Sequence, residues 1–513
     1  MKNKIHLIKL FILPALLLAC SEDFLDTKPF GLQNEDTYYQ TEEEIYKGLN
    51  AAYDFLVRDY ATANDQSQGI GYSSSFMMRC IASDNGNAGG GNPQDIEDWQ
   101  QMDEFRVVAS NGSLLQHWQR SYFGIYRCNL LLDREYPELT DNVKRYLAEA
   151  RFLRAYYYWE LVTFFGGVPI IDYRITTADP IPPASTKAEV WAFIEKDLLD
   201  AMDDLQLKSE QASNAKQHAS KGAAQSLLAK VYMFQEKYSD AIDVLDDLFE
   251  STQYELDTNY ANVFSIAYEF GMESIFEINY TSKFPSDWDP NRSRNIEGNV
   301  NSQLMGVRGL GANSFYYPGW GFNKVELDLI NAFDSENDSI RKYNTAYGDE
   351  LFTANGIAYT DNYKHTGWWC KKMAPDRESY GDGSGAPELD YGHNEVVMRL
   401  ADMYLLYAEA QYREGNPGTA VEYVNYVRER VNLPDLATSL SGQPLFDAIV
   451  KERRLELAME GHRYFDLIRW GIAGDVLQYQ WGGSFNPSVN NVFPIPQQEI
   501  SRSGGALKQN PGY

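Results

Sequence analysis

Residues capable of catalysis do not form a recognisable catalytic motif in this chain. Its six histidines, at positions 6, 117, 218, 365, 393 and 462, include no HExxH pair, so no zinc-binding helix is predicted. The chain also has no GxSxG nucleophile motif and no Walker A loop. Its 73 acidic residues could include a glycosidase-type carboxylate pair, which forms in space and not in sequence. Solvated acids on helix surfaces are the commoner arrangement, so we predict that the protein is not an enzyme.

The segment 452–471, ERRLELAMEGHRYFDLIRWG, interleaves arginine and glutamate with leucine and aromatic residues. Such arginines could bind an anion. In a helix hairpin, they would instead bridge carboxylates and carbonyls inside the fold. We predict the second arrangement, with His462 as a residue without a chemical role.

Metal and disulfide chemistry has little support in the sequence. Cys80, Cys128 and Cys370 form no CxxC pair, and their odd number predicts buried free thiols. Asp382 and Asp390 lie in and beside a glycine-rich stretch that could hold calcium, but a solvated turn is the simpler interpretation. We therefore expect no cofactor and no metal, with a structural calcium ion as the alternative.

The composition excludes several classes of partner. The formal net charge is −28, and such a chain repels nucleic acid and anionic lipid headgroups. Aromatic residues make up 14% of the chain, with 36 tyrosines and 10 tryptophans. Tyrosine and tryptophan in this number either pack helices or form surfaces with one wet face, such as sugar-binding platforms.

The N-terminus is typical of an exported lipoprotein. Three lysines precede a short apolar run, Leu10–Leu18, which is too short to span a bilayer. The following Ala19-Cys20 resembles the bacterial lipobox, in which the cysteine is acylated and becomes the new N-terminus. We predict a signal peptide at 1–19, lipidation of Cys20 and a tether at 20–40. An ordinary secretory signal with a chance cysteine is the alternative.

The remainder, 41–513, is predicted to be one mostly α-helical domain. Apolar residues at three- and four-residue spacing indicate a buried helix that ends at Gly166-Gly167, with Leu147, Ala150, Leu153, Tyr157, Leu161 and Phe164 as its apolar stripe. Two later segments repeat a pair of alanines twelve residues apart, Ala229 with Ala241 and Ala408 with Ala420. This spacing lets two helices approach closely, as in tetratricopeptide pairs, and such pairs need neighbours. We predict an array of about four pairs.

The array is predicted to be interrupted by a loop-rich α+β subdomain. The helical scaffold comprises about 41–58, 114–250 and 398–475, and the subdomain comprises about 59–113 and 251–397. Within the subdomain, 274–280 (SIFEINY) is predicted to be a strand. The stretch from about 59 to 91 is rich in Gly, Ser, Asn and Asp, as in DNGNAGGGNP (84–93), and is expected to have no regular element. Such a composition is typical of functional or disordered loops.

Several segments, in this order, resemble one family. They are the start DFLDTKP after the lipobox, EARFLRAYYYWELVTFFGGVPI, SIFEINY, GWGFNKVELDLINAFD, ERRLEL with RYFDLIRW, and the end PIP…QNPGY. Together they resemble the SusD-like (RagB/SusD) family of outer-membrane lipoproteins. The resemblance implies a right-handed array of four tetratricopeptide-like pairs. It also implies surface capture of glycans and their delivery to a partner SusC-like TonB-dependent transporter.

The resemblance places the ligand site in the early loop and in the central loops. Carried onto this chain, it implies ligand contacts from Arg79, Asp84, Asn85, Asn87, Trp99, Trp288, Tyr316, Tyr317 and Trp320. Trp288 is the strongest candidate, because SDWDPN is polar on both sides of it. Trp320 is as well explained by core packing, and Trp368-Trp369 is undecided. The alternatives to glycan capture are capture of another nutrient, such as a peptide, and a surface hydrolase.

Overall fold

The structure is a computed structural model that describes residues 38–59, 72–176, 179–283, 296–377, 380, 386–477, 481 and 483–513. The predicted signal peptide, Cys20 and most of the tether lie outside the described residues. Among the described residues, no helix combines the length and hydrophobicity needed to cross a membrane.

Helices dominate the described part of the chain. In chain order they are α1 (Glu42–Tyr53), α2 (Ser75–Ile81), α3 (Glu97–Asp103), α4 (Gly112–Leu132), α5 (Asp141–Phe165), α6 (Lys187–Met202), α7 (Lys221–Phe234), α8 (Tyr238–Glu250), α9 (Val300–Met305), α10 (Leu327–Glu336), α11 (Ser339–Thr345), α12 (Glu350–Thr353), α13 (Leu400–Arg413), α14 (Pro417–Arg430), α15 (Gly442–Glu456), α16 (Arg463–Arg469), α17 (Ala473–Val476) and α18 (Gln497–Arg502). The strands are β1 (Gly86–Gly89), β2 (Ser274–Ile278), β3 (Phe322–Val325), β4 (Ala346–Gly348), β5 (Trp368–Cys370) and β6 (Glu395–Arg399). The predicted mostly α class is confirmed.

Helix α5 lies at the centre of the scaffold. The Thr140 hydroxyl caps its start by accepting from the Val143 amide, and Gly166, at φ +75°, ends it. Every residue from Phe152 to Phe165 is buried. Arg154 donates two hydrogen bonds of 2.7 Å to Asp197 of α6, so a charge-assisted pair fixes the helix against its neighbour. The predicted all-round burial of this helix is confirmed.

The repeated alanines mark two helix pairs. Ala229 and Ala241 lie on α7 and α8, Ala408 and Ala420 lie on α13 and α14, and all four are fully buried. A methyl side chain lets the paired helices approach closely. Helix α8 also packs against α13, although the whole 251–397 segment separates them in sequence. The helical scaffold therefore continues across the inserted segment.

The loop-rich subdomain, with its early part 59–113 and its central part 251–397, contains two small sheets. One has strand order β1-β3-β5-β4, and the other pairs β2 with β6, both antiparallel. The expectation that 59–91 has no regular element is wrong, because helix α2 and strand β1 lie there. Strand β1 is glycine-rich for a steric reason: Gly89 has φ +62°, and a side chain there would collide with the carbonyl of Gly321.

The arginines of the segment 452–471 bridge carboxylates inside the fold, as predicted: Arg453 donates to Asp402 (3.0 Å) and Arg469 to Glu409 (2.7 Å). The glutamates of the segment accept from arginines elsewhere in the chain. Arg399, 1% exposed, donates to Glu273 (2.8 Å), Glu456 (2.6 Å) and Glu460 (2.8 Å). Three more arginines pair with these glutamates or with Glu452, and we call the whole group the arginine–glutamate cluster. Its members are Arg341, Arg399, Arg428, Arg430, Glu273, Glu452, Glu456 and Glu460. Burial alone would raise the pKa of Glu456, but the adjacent guanidinium groups of Arg430 and Arg399 hold it far below its usual range.

Candidate functional site

A short aromatic segment, 312–320, stands at the surface of the inserted subdomain, and we call it the aromatic loop. Phe315 at its tip is 55% exposed. Backbone hydrogen bonds fix the loop on two sides: the Tyr317 amide donates to the Pro375 carbonyl (2.8 Å) and the Trp320 amide to the Gln303 carbonyl (2.9 Å). The loop therefore presents its side chains from an ordered backbone.

Two glycines allow this backbone to lie so close to its support. The Gly319 amide donates to the Val307 carbonyl (2.8 Å), and the Gly321 amide donates to the Gly306 carbonyl (2.9 Å). A Cβ at Gly319 would collide with the backbone of Gly306. Glycine at this position is therefore required by close backbone approach.

The two tyrosines of the loop have different surroundings. Tyr316 is half-buried and stacks on Tyr347, with ring centroids 4.8 Å apart and planes within 10° of each other. The ring centroids of Tyr317 and Tyr380 are 4.5 Å apart. The guanidinium of Arg377 lies 4.8 Å from the Tyr317 centroid. Arg377 is exposed and is oriented by a 3.2 Å hydrogen bond to the Ser314 carbonyl. An aromatic surface with an adjacent cationic donor results.

This combination suits a neutral, hydroxyl-rich ligand. Ring faces accept the apolar C–H face of a sugar, and a guanidinium donates hydrogen bonds to hydroxyl oxygens. Burial, with a smaller effect of Asp376, raises the pKa of Tyr316 to about 12. The phenol therefore stays neutral at physiological pH and can both donate and accept hydrogen bonds.

The early segment does reach the aromatic loop, although through other residues than those predicted. The Gly90 amide donates to the Gly321 carbonyl at 2.8 Å. Asp95 pairs with Arg308 at 3.3 Å, and both side chains are partly exposed. Arg308 also donates to the Trp320 carbonyl at 3.1 Å, so the Asp95–Arg308 pair forms a polar edge beside the loop.

Four of the predicted contact residues are interior residues, and their assignment to the site is corrected. Trp99 is fully buried, packs edge-on against Phe322 and donates to the Tyr72 carbonyl. The other three are also at most 5% exposed: Arg79, Asn85 and Asn87. Each is held by protein partners, Arg79 by Glu160, Asn85 by Arg454 and Asn87 by Glu326. None presents its polar atoms or ring to solvent.

The remaining predictions have mixed outcomes. Asp84 is half-buried and paired with Arg463 at 2.8 Å, a structural contact. Trp320 is half-buried and packs on the main core, while Trp369 is fully buried and Trp368 half-buried. Trp288 and Asp382 lie outside the described residues, and Asp390 is buried. The three cysteines, Cys80, Cys128 and Cys370, are buried and free, as predicted.

Phe315, Arg377 and Tyr380 were not predicted from the sequence. One signal could have found Tyr380: like Trp288, it lies in a polar stretch (RESYGDG) without a period that would bury it. Arg377 had no such signal, because its position over Tyr317 depends on the fold.

Comparisons with known proteins agree with the fold. Residues 353–513 match the family described as SusD family, and residues 23–233 match the one described as "Starch-binding associating with outer membrane". A solved structure of a laminarin-binding SusD-like protein is 31% identical, with a TM-score of 0.81, over 93% of this chain and 100% of that one. Surface glycan-binding protein A from Bacteroides thetaiotaomicron, solved with laminarihexaose, is 28% identical, with a TM-score of 0.80, over 91% and 99%.

A curated relative gives the same result. SusD-like protein P25 from Formosa agariphila is 26% identical over 97% of this chain and 98% of its own length. The match to this relative over almost its full length, and the 31% identity to a solved SusD-like structure over 93% of this chain, confirm the resemblance to the family. The chain belongs to the SusD-like (RagB/SusD) family.

Proposed function

We propose that the protein captures a glycan at the cell surface on the aromatic loop and its neighbours, without catalysis. The observation that supports this most directly is the exposed ring of Phe315 on a loop of fixed backbone, which also carries Tyr317 with its contacts to Tyr380 and Arg377. Preorganised rings lose little conformational entropy on binding. An open surface buries only part of a ligand, so the affinity should be modest.

The first ligand class to test is a laminarin-type glucan. Two of the similar solved proteins are named for laminarin binding or were solved with laminarihexaose. Starch is the second, because it appears in the description of the family that matches residues 23–233. The net charge of −28 disfavours anionic polysaccharides, since the chain would repel them.

The cellular setting is proposed from the N-terminus and the family. Lipidation of Cys20 would hold the protein in the outer membrane, with the tether placing the domain at the surface. Glycan would then pass to a SusC-like TonB-dependent transporter in the same membrane. The helical array offers the extended surface that such a partner needs.

Affinity electrophoresis of the purified full-length protein in detergent tests the binding proposal. Gels would contain laminarin, starch or one of a panel of plant, host and microbial polysaccharides. Retardation by a neutral glycan is expected, together with no release of reducing ends on prolonged incubation. Release of sugar products would establish a hydrolase instead. Absence of retardation by every glycan would overturn the proposal and favour a peptide ligand.

A further inference from the structure

Trp481 is an exposed aromatic residue that lies apart from the aromatic loop in sequence. We propose that Trp481 is an additional carbohydrate contact, which binds a sugar ring of a long glycan. This inference rests on the proposed function and adds a second contact to it.

The Trp481 side chain is exposed and yet fixed in place. It is 40% exposed, and its indole N–H donates to Oε1 of Glu326 at 2.5 Å. The same oxygen accepts from the side-chain amide of the fully buried Asn87 (Nδ2) at 2.7 Å, so the carboxylate itself is anchored from inside the protein. A surface tryptophan that only happened to be exposed would not need this anchoring.

A buried lysine supports the ring from below. The Lys364 ammonium lies 5.6 Å from the Trp481 ring centroid and 5.5 Å from that of Tyr363. Lys364 is 6% exposed and is held by Asp103 (2.5 Å) and Glu104 (3.1 Å). A paired cation beneath an aromatic ring stabilises its position by electrostatic attraction. With its edge bonded to Glu326 and Lys364 close to it, the indole keeps part of its surface open to solvent.

The backbone at this position is strained. Trp481 has φ +47°, a conformation that is unfavourable for a bulky residue. Two residues later, Gly483 lies so close to the Glu104 carbonyl that a Cβ would collide with it. Strain of this kind persists only where surrounding contacts impose it, and it is enriched at ligand sites.

The surroundings favour a sugar over a protein partner. Glu326 places a charged, hydrogen-bonding carboxylate at the edge of the ring, and the Lys364 ammonium lies 5.6 Å from the ring centroid. Leu327, which follows Glu326 in the chain, is 50% exposed and adds one apolar side chain. That apolar area is small compared with the interface of a stable protein complex. A single ring with polar neighbours matches the C–H face and hydroxyls of a sugar.

Connected residues link Trp481 to the aromatic loop. The side-chain amide of Asn362 (Nδ2) donates to the Gly321 carbonyl at 3.0 Å, next to Trp320. Two residues along the chain, Lys364 lies under Trp481. A polysaccharide that engages the aromatic loop could therefore reach Trp481 also, whereas a short oligosaccharide would occupy one contact only.

The test compares wild type, Trp481→Ala, Trp481→Phe and Tyr426→Ala, all as full-length protein in detergent. Tyr426 is the matched control, because it is 41% exposed and lies on α14 of the scaffold. The readouts are retardation by laminarin and starch, and N-bromosuccinimide oxidation of Trp481 with and without glycan, located by mass spectrometry. Thermal unfolding of each variant shows whether it is folded.

We expect Trp481→Ala to weaken retardation by the polysaccharide roughly two- to tenfold, the range of one aromatic contact. Trp481→Phe should lose less, Tyr426→Ala nothing, and bound glycan should protect Trp481 from oxidation. Unchanged retardation together with unprotected Trp481 would overturn this inference and leave the proposed function standing. If wild type binds no glycan, the proposed function fails and this inference with it. If Trp481→Ala unfolds, Trp481→Phe and the oxidation experiment decide.

Discussion

The arginine–glutamate cluster and the aromatic loop contain similar kinds of side chain and use them in opposite ways. In the cluster, the guanidinium of Arg399 lies 6.0 Å from the centroid of the Tyr260 ring, and the residue is 1% exposed. Its N–H groups donate to Glu273, Glu456 and Glu460. In the aromatic loop, Arg377 lies 4.8 Å from the Tyr317 ring and is exposed. The first arrangement fixes the fold, and the second leaves donors and ring edges for a ligand.

The comparison shows that residue type does not identify a site in this protein. The segment richest in apparent chemistry, 452–471, has a structural role. The candidate site lies in a segment without sequence periodicity, where burial is set by distant contacts. Substitutions in the cluster should therefore change stability, and those in the loop should change binding.

The largest effect is expected from Arg399→Ala. This substitution leaves Glu273, Glu456 and Glu460 buried without their shared cation, a change that typically costs about 3–5 kcal/mol. Chemical denaturation should show this loss. Arg106→Ala is the matched control, since Arg106 pairs with two glutamates but its side chain is 45% exposed, and it should cost about 0–1 kcal/mol. Equal losses in the two variants would contradict the distinction.

Gly319→Ala should affect both stability and binding. The new methyl group would collide with the Gly306 backbone and displace the aromatic loop, at a cost of about 1–3 kcal/mol. Glycan retardation should weaken in the same variant. Gly418→Ala is the control, because nothing lies within 4 Å of its Cβ position on α14, and it should bind glycan as wild type does. Unaltered binding by Gly319→Ala would show that the position of the loop is unimportant.

A pH-dependent effect is expected at Glu395, which is 6% exposed. Burial raises the pKa of Glu395 to about 7. The positive charges of Arg79 and Arg120 oppose this increase, and the negative charge of Glu160 adds to it. From about pH 4.5 to pH 7 the unfolded chain releases this proton while the folded chain keeps it, so the group's contribution to stability falls as pH rises. Glu395→Gln should therefore gain stability relative to wild type, by about 2–3 kcal/mol, between pH 5 and pH 8.

Denaturation curves at the two pH values check this prediction, with the exposed Glu429→Gln as the control for loss of one carboxylate. A stability difference between wild type and Glu395→Gln that stays constant with pH would show that Glu395 ionises normally in the folded protein.

The smallest effect on stability is expected from Tyr317→Ala. Its ring is only half-buried, so unfolding should change little, whereas glycan binding should weaken roughly tenfold through loss of a stacking surface. Affinity electrophoresis and thermal unfolding measure the two quantities on one sample. Tyr426→Ala, on the scaffold, should alter neither.

The sequence predicted the elements whose periodicity is strong. The stripe through Leu153 and Leu161 identified α5, and the paired alanines identified α7–α8 and α13–α14, because helix burial repeats every three to four residues. The site was harder to predict. Trp99 has polar sequence neighbours, and its burial comes from Phe322 on a distant strand. Polar sequence neighbours, which Trp99 shares with Tyr380, therefore do not by themselves separate a buried ring from an accessible one.

Calorimetric titration tests the central claim most directly. The titrant is the glycan that retards the full-length protein most strongly, and the samples are wild type and Tyr317→Ala with matching unfolding temperatures. We predict saturable binding by wild type and binding about tenfold weaker by the variant, as expected for loss of one stacked ring. Equal affinities in the two folded proteins would place the glycan elsewhere and contradict the account.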